Sequence, residues 1–244
     1  MKTRQKIRKT LLTAAFILLP VTLYYFSPAL SLQGAAAGVA AGSLLVFAGL
    51  FISSLFAGRL FCGWACPMGG LQELTFHLRG RPVRRRRIRW IKYLIWGPWL
   101  LLLVFFILQA GGLRRAEFPY MTWHGISVTD LQGLITLLVV TGIFFLLALT
   151  IGRRAGCHVL CWIAPFMVLG RSIRNLFAWP ALQLKAEPER CGRCGRCAKA
   201  CPMSIEVTEL VQAGSLETQD CILCGTCADT CPKGVIRYSF GKGR

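Results

Sequence analysis

Acidic residues are scarce in this chain, and long stretches of it lack charge of either sign. Only 10 Asp and Glu accompany 29 Lys and Arg among 244 residues, so the formal net charge is +19. No charged residue occurs between Lys9 and Arg59, and 55% of all residues are hydrophobic. These absences exclude an ordinary soluble domain and predict membrane-spanning segments separated by basic loops.

Two kinds of cysteine chemistry are also missing. The sequence contains no C-x-x-C-H motif, which excludes a covalently attached c-type haem. The 12 cysteines do not suit a short secreted protein stapled by disulfides, because eight of them form two groups with ferredoxin spacing. Thiolates kept for metal indicate a reducing compartment.

Four uncharged runs are long enough to cross a bilayer, since a spanning helix needs roughly 20 apolar residues. The interval after Lys9 holds two runs, with a predicted turn at residues 27–31. The third extends from Tyr93 to Leu113 and the fourth from Leu131 to Gly152. We therefore expect a mainly α membrane protein with four transmembrane helices. A cleavable signal peptide is an alternative for the first run, which follows a basic start.

The positions of the basic residues predict the orientation. Five precede the first run and eight lie at residues 79–92, whereas the two loops on the opposite side contain only Arg114 and Arg115. By the positive-inside rule we expect a multi-pass protein of the bacterial inner membrane with both termini in the cytoplasm. Membrane orientation and contact with anionic lipid account for the charge, so no nucleic acid partner is expected.

The motif C-x2-C-x2-C-x3-C-P occurs twice near the C-terminus, at an interval of 30 residues. In two-cluster ferredoxins the fourth cysteine of each motif ligates the other cluster. The predicted ligands are therefore crossed: Cys191, Cys194, Cys197 and Cys231 for cluster 1, and Cys221, Cys224, Cys227 and Cys201 for cluster 2. We expect two [4Fe-4S] clusters in an α+β domain at residues 181–244, after a membrane domain at residues 1–180. Structural zinc is the alternative, although its cysteines usually come as separated C-x2-C pairs.

Two further cysteine pairs follow the second and fourth predicted spans. Cys62 and Cys66, like Cys157 and Cys161, have the spacing C-x3-C and follow a Gly-Arg step. The membrane domain is therefore predicted to be two repeated hairpins, each ending in a cysteine pair at the cytoplasmic face. Three interpretations stay open for the four thiols: an extra metal or iron-sulfur site, a catalytic redox-active set, and inert buried cysteines.

Short apolar segments after the cysteine pairs are predicted to lie in the membrane interface. An amphipathic pocket for a quinone headgroup is one interpretation of this region. Its candidate lining is Trp64, Glu73, His77, His158 and Trp162. An aromatic belt and ordinary solvation explain the same residues without a ligand.

The four spans, the two membrane pairs and the double ferredoxin motif together resemble the NapH/MauN-type ferredoxin-like membrane proteins, which are related to the membrane part of NosR-type proteins. The resemblance covers nearly the whole chain. It departs at Trp162, because the family usually has proline directly after the second pair.

This resemblance implies the membrane component of a quinol dehydrogenase, an oxidoreductase acting within a hetero-complex. Electrons would pass from the membrane quinone pool through the two clusters towards a periplasmic reductase, by way of partner ferredoxins or cytochromes. Two alternatives remain. Electrons would flow in reverse, from cytoplasmic ferredoxin to the membrane, or the protein would be a non-enzymatic iron-sulfur accessory factor for maturation of a metalloenzyme.

Overall fold

The computed structural model describes residues 3–78, 80–83 and 86–242, apart from the side chains of residues 77, 86 and 87. The described part is mainly helical, with two small two-stranded sheets. Its helices up to residue 177 are α1 (Thr3–Ile17), α2 (Leu19–Thr22), α3 (Pro28–Ala36), α4 (Gly42–Ala57), α5 (Leu60–Trp64), α6 (Pro67–Leu74), α7 (Ile91–Gln109), α8 (Leu131–Thr150), α9 (Ala155–Val159) and α10 (Ile163–Phe177).

Two described helices are long and apolar enough to cross a membrane. They cover Ile88–Gln109, which includes α7, and Leu131–Thr150, which is α8. These helices confirm the third and fourth predicted runs as continuous apolar helices.

The first two runs are less regular. The first is broken into Thr3–Ile17 and Leu19–Phe26, with a bend of 59° between them. Pro20 lies in the first turn after the break, where its missing N–H and its ring disfavour continuation of the preceding helix. The second contains α4, which has only 16 residues. A total of four spans therefore stays a prediction.

The predicted turn at residues 27–31 is wrong, because these residues begin a helix. The Ser27 side chain accepts a hydrogen bond from the Leu30 amide at 3.4 Å, and Pro28 occupies the first turn of α3. Serine before proline is a strong helix start, since proline suits the first helical position. The chain turns later, at Gly38 (φ +68°), and enters strand β1 (Val39–Ala41), which pairs in parallel with β2 (Arg115–Glu117).

The C-terminal region has the expected α+β architecture. Strand β3 (Ala181–Ala186) pairs antiparallel with β4 (Ile236–Gly241), and between them lie α11 (Arg196–Ala200), α12 (Val207–Gln212) and α13 (Thr226–Thr230). The domain boundary at residue 181 stays a prediction.

The two halves of this region have the same backbone shape. Gly195 and Gly225, which are 30 residues apart, have φ of +69° and +70° and start α11 and α13. Arg193 and Leu223, also 30 residues apart, have φ of +51° and +49°. The repeated cysteine spacing is therefore accompanied by a repeated loop conformation.

Candidate functional site

The structure brings together the four cysteines predicted for cluster 2. Cys221, Cys224 and Cys227 of the second motif line one cavity with Cys201 of the first. Cys201, Cys224 and Cys227 are buried, and the remaining walls are mostly apolar. Four thiolates from one three-cysteine loop and one distant cysteine are the donor set of a ferredoxin cubane, so these residues fit that group.

The thiols at this cavity need a positively charged partner to ionise. Burial raises the pKa of Cys221 to about 11 and that of Cys201 to about 12. At neutral pH both thiols are therefore protonated unless cluster iron binds them, because metal binding displaces the proton.

The cysteines predicted for cluster 1 are more accessible. Cys194 is exposed, Cys191 and Cys231 are half-buried, and only Cys197 is buried. Cys231 follows α13 as Cys201 follows α11, and the assembly of these four cysteines around one cluster stays a prediction. Exposed cations surround it: Arg190, Arg193, Arg196, Lys199 and Lys233. We call these cations and the four cysteines the cluster 1 face.

The loop of cluster 2 lies directly on the first membrane cysteine segment. Gly63 packs against the backbone of this loop, and a Cβ there would lie 3.5 Å from the Cα of Cys224 and in steric conflict with the Ile222 carbonyl oxygen. The indole of Trp64 donates to the Leu223 carbonyl at 3.1 Å, and Gln5 of α1 donates to the Cys224 carbonyl at 3.0 Å. The cluster 2 cysteines thus face the membrane segments.

Both membrane cysteine pairs lie in copies of one local structure, 95 residues apart. Helices α5 and α9 occupy equivalent positions, and the amides of Cys66 and Cys161 each donate to a carbonyl five residues earlier at 3.0 Å. Although Trp162 rather than proline follows the second pair, the turn at that pair is closed by the same hydrogen bond as the turn at the first pair. The equivalent arginines are Arg59 and Arg154, each three residues before the first cysteine of its pair, so Arg153 of the second Gly-Arg step has no counterpart at Arg59.

The four membrane thiols are all buried, with exposures of 4% for Cys62, 6% for Cys66, 5% for Cys157 and 8% for Cys161. The side chain of Gln72 joins the two repeats, because its amide nitrogen lies 3.3 Å from the Cys157 sulfur. Burial raises the pKa of Cys66, and the neighbouring thiols of the other three cysteines raise it further. Among the described residues, no three His, Cys, Asp or Glu side chains lie close enough together to hold a single metal ion.

Buried arginines beside these thiols were missed at the sequence level. Arg154 donates to the Cys62 carbonyl at 2.7 Å and pairs with Glu73 at 3.1 Å, and Glu73 also pairs with Arg8. Burial alone would raise the pKa of Glu73, but Arg154 and Arg8 outweigh it and lower the pKa to about 2. The matched positions of Arg59 and Arg154, each three residues before the first cysteine of a pair, were the available signal in the sequence.

Four of the five residues predicted to line a quinone pocket have described side chains, and of these Trp162 lies at an apolar cavity. Trp162 lines this cavity, whereas Glu73 is held in its ion pairs and the indole of Trp64 donates a hydrogen bond to the Leu223 carbonyl. His158 is fully buried, and neither of its ring nitrogens has a hydrogen-bond partner among the described residues. The predicted role of His77 falls on a side chain outside the described residues.

The cavity at Trp162 is lined mainly by apolar side chains from α2, α8 and α10 and the segments beside them. One cysteine of each membrane pair contributes to its wall. The lining includes Leu19, Leu23, Tyr24, Phe26, Cys66, Thr136, Val140, Phe144, Cys161 and Ile163. The cavity therefore lies against the membrane thiols on one side and the apolar helix α8 on another.

Comparison with known proteins identifies an iron-sulfur protein of the ferredoxin type. A family model for a 4Fe-4S dicluster domain matches residues 190–236, which include all eight cysteines of the two motifs. A model for a 4Fe-4S binding domain matches residues 39–87, which include Cys62 and Cys66. The chain thus carries two 4Fe-4S ferredoxin-type regions.

Individual relatives point to the same class. YccM of Escherichia coli (strain K12), named as an electron transport protein, is 31% identical over 190 residues, which are 73% of this chain and 51% of YccM. The regulatory protein NosR of Pseudomonas aeruginosa is 31% identical over 186 residues, 69% of this chain and 23% of NosR. The uncharacterized protein MJ0750 of Methanocaldococcus jannaschii is 28% identical over 165 residues, 66% of this chain and 65% of MJ0750.

The chain spans about half the length of YccM and about a quarter of NosR. No solved structure matches the chain. The narrower relation to the NapH/MauN type stays a prediction.

Proposed function

We propose that this protein is the membrane component of a quinol dehydrogenase, which oxidises quinol and relays the electrons through two [4Fe-4S] clusters to a redox partner. The observation that carries the proposal is the position of the two cysteine sets. The cluster 2 cavity lies on the membrane cysteine segment, and the cluster 1 face opens to solvent. The name of YccM supports an electron transport role.

The proposed ligands are the crossed sets. Cys221, Cys224, Cys227 and Cys201 would hold the inner cubane, and Cys191, Cys194, Cys197 and Cys231 the outer one. When bound, such clusters supply one-electron chemistry, while the protein sets their position and potential. The apolar wall around the inner set keeps water away, and the outer set is open to a partner.

We place quinol in the apolar cavity at Trp162. Its mostly apolar walls suit the apolar ring and isoprenoid tail of a quinol, since ligand pockets are lined mainly by hydrophobic and aromatic side chains. Tyr24, Ser27 and Thr136 supply hydroxyl groups in a lining that is otherwise mostly apolar. Oxidation of one quinol releases two protons to water and two electrons, which two one-electron sites can take up singly.

The partner we propose is an acidic one-electron carrier, a ferredoxin or cytochrome, that docks on the cluster 1 face. Five exposed cations at this face complement negative charge, which steers association. In this arrangement the C-terminal domain and both termini lie on the cytoplasmic side of a bacterial inner membrane, within a hetero-complex. Reverse flow would use the same path, so direction has to be measured.

A pair of adjacent valines in α8 tests the quinol site. Val140 lines the cavity, whereas Val139 is 53% exposed on the same helix. Val140→Trp should fill the cavity and slow cluster reduction by a short-chain quinol analogue at least tenfold, while reduction by dithionite is unchanged. Val139→Trp is the matched control and should react like the unaltered protein. Equal quinol-driven rates in both variants would overturn this location of the site.

A further inference from the structure

Cations outnumber carboxylates in the buried region around the membrane cysteines. Four cations there are at most 2% exposed: Arg8, Arg59, Lys92 and Arg154. These four cations share two carboxylates. Glu73 pairs with Arg8 and Arg154. Asp220 lies 3.9 Å from Arg59 and 3.8 Å from Lys92. Asp220 is also shared with the partly buried Arg89. Among the described side chains, the nearby thiols are the groups left to supply further negative charge.

Two of these buried cations also have hydrogen-bond donors without acceptors in the described part of the chain. Nε and Nη2 of Arg59 and Nε of Arg154 have no hydrogen-bond partner among the described residues. Both guanidinium groups have a carboxylate partner, but a buried charged donor with unmade hydrogen bonds is costly, so a further acceptor beside these nitrogens would stabilise them. Arg59 interacts electrostatically with the thiols of Cys62, Cys157 and Cys161, which come from both repeats.

We infer that Cys62, Cys66, Cys157 and Cys161 together hold a third [4Fe-4S] cluster. Four thiolates are the usual ligands of a cubane, and the ligated group carries a net negative charge that Arg59 and Arg154 neutralise. The matching 4Fe-4S binding model over residues 39–87 contains the first pair of thiols. The internal repeat supplies the second pair in the same local conformation.

The thiols of the two pairs lie near one another, because Cys66 and Cys161 line the same cavity and Cys66 interacts electrostatically with the other three. No three described His, Cys, Asp or Glu side chains approach closely enough for one metal ion, and this holds for the eight dicluster cysteines as well. A cubane binds each thiolate at a separate iron atom, so its ligands are spread further apart than those of a single ion.

The proposed third cluster lies between the quinol cavity and cluster 2. Cys66 and Cys161 line the cavity, and Gly63, next to Cys62, packs on the backbone of Ile222 and Cys224. A third site here shortens the distance over which an electron has to move from the cavity to the cluster 2 cysteines. The site itself does not depend on quinol being the donor.

Iron and sulfide quantification of the whole protein tests the inference. After anaerobic purification and reconstitution with iron and sulfide, we expect about twelve irons, and about eight in the double variant Cys62→Ser/Cys157→Ser. Ala65→Ser is the matched control, because it places serine in the same segment without removing a thiol, and it should retain about twelve.

Mössbauer and EPR spectra of the double variant should retain the signals of the two ferredoxin clusters. About eight irons in the unaltered protein would overturn the inference, whether or not the double variant folds. About twelve irons in a folded double variant would overturn it as well. Neither count depends on quinol, so failure of quinol oxidation and failure of the third site are separable.

Discussion

Glu73→Gln tests the buried charge arrangement beside the membrane cysteines. The Glu73 carboxylate pairs with Arg8 and Arg154, and Arg154 holds the Cys62 carbonyl at 2.7 Å. The pKa of Glu73 is lowered from 4.5 to about 2, mainly because the attraction of Arg154 and Arg8 outweighs the cost of burial. A shift of this size corresponds to about 3 kcal/mol of stabilisation by the ionised carboxylate. The glutamine variant leaves two buried arginines without this charge, so we expect it to lose about 3–5 kcal/mol.

The pH dependence has a definite sign. Because the folded pKa of Glu73 lies below its ordinary value, its contribution is fully present above about pH 5 and is lost as the pH falls towards 2. Thermal unfolding of the detergent-purified protein, followed by circular dichroism between pH 6 and pH 3, should show a Tm that falls below about pH 5, and this fall should be smaller in Glu73→Gln. Glu187→Gln is the control, since its carboxylate is 48% exposed and its pairs are worth about 0–1 kcal/mol. Equal Tm values for both variants would refute the reasoning.

Two further substitutions test the docking of the ferredoxin region and of its partner. Gly63→Ala should destabilise the protein by about 1–3 kcal/mol and slow quinol-driven cluster reduction, because the added Cβ meets the cluster 2 loop. Gly49→Ala, with open space around the added Cβ, is the control and should not destabilise the protein. Tm measures the stability and stopped-flow absorbance the reduction rate, and equal values for the two variants would contradict the contact. Arg193→Glu should slow electron exchange with an acidic ferredoxin about tenfold at low salt and weaken the salt dependence of the exchange rate. Arg114→Glu, outside the cluster 1 face, is the control and should leave the rate unchanged. An equal effect of the two substitutions would argue against docking on the cluster 1 face.

The sequence predicted the parts of the molecule that depend on local spacing. The cysteine motifs imply two identical loops, and the left-handed backbone at Arg193 and Leu223 reproduces that identity. Cys201 was predicted to join the second motif, and it lines the cavity of that motif. Long apolar runs likewise predicted α7 and α8, since their length alone requires a helix in a bilayer.

Features that depend on long-range packing were not predictable. Gly63 contacts Ile222 across 159 residues of sequence, and no local pattern indicates that contact. Lys92 was assigned to membrane orientation, because basic residues beside spans usually have that role, but it is buried and pairs with Asp220. Ser27 was assigned to a turn although serine before proline also begins helices, and the structure uses the second option.

The central claim is that quinol delivers electrons to the ferredoxin clusters. The most direct test is anaerobic mixing of the purified, oxidised protein with a reduced short-chain quinol analogue, followed by EPR of rapidly frozen samples. We predict that the signals of reduced [4Fe-4S] clusters appear and that one quinol is oxidised for every two electrons taken up. Clusters that stay oxidised with quinol, yet are reduced by a low-potential ferredoxin, would contradict the proposed direction and indicate flow towards the membrane.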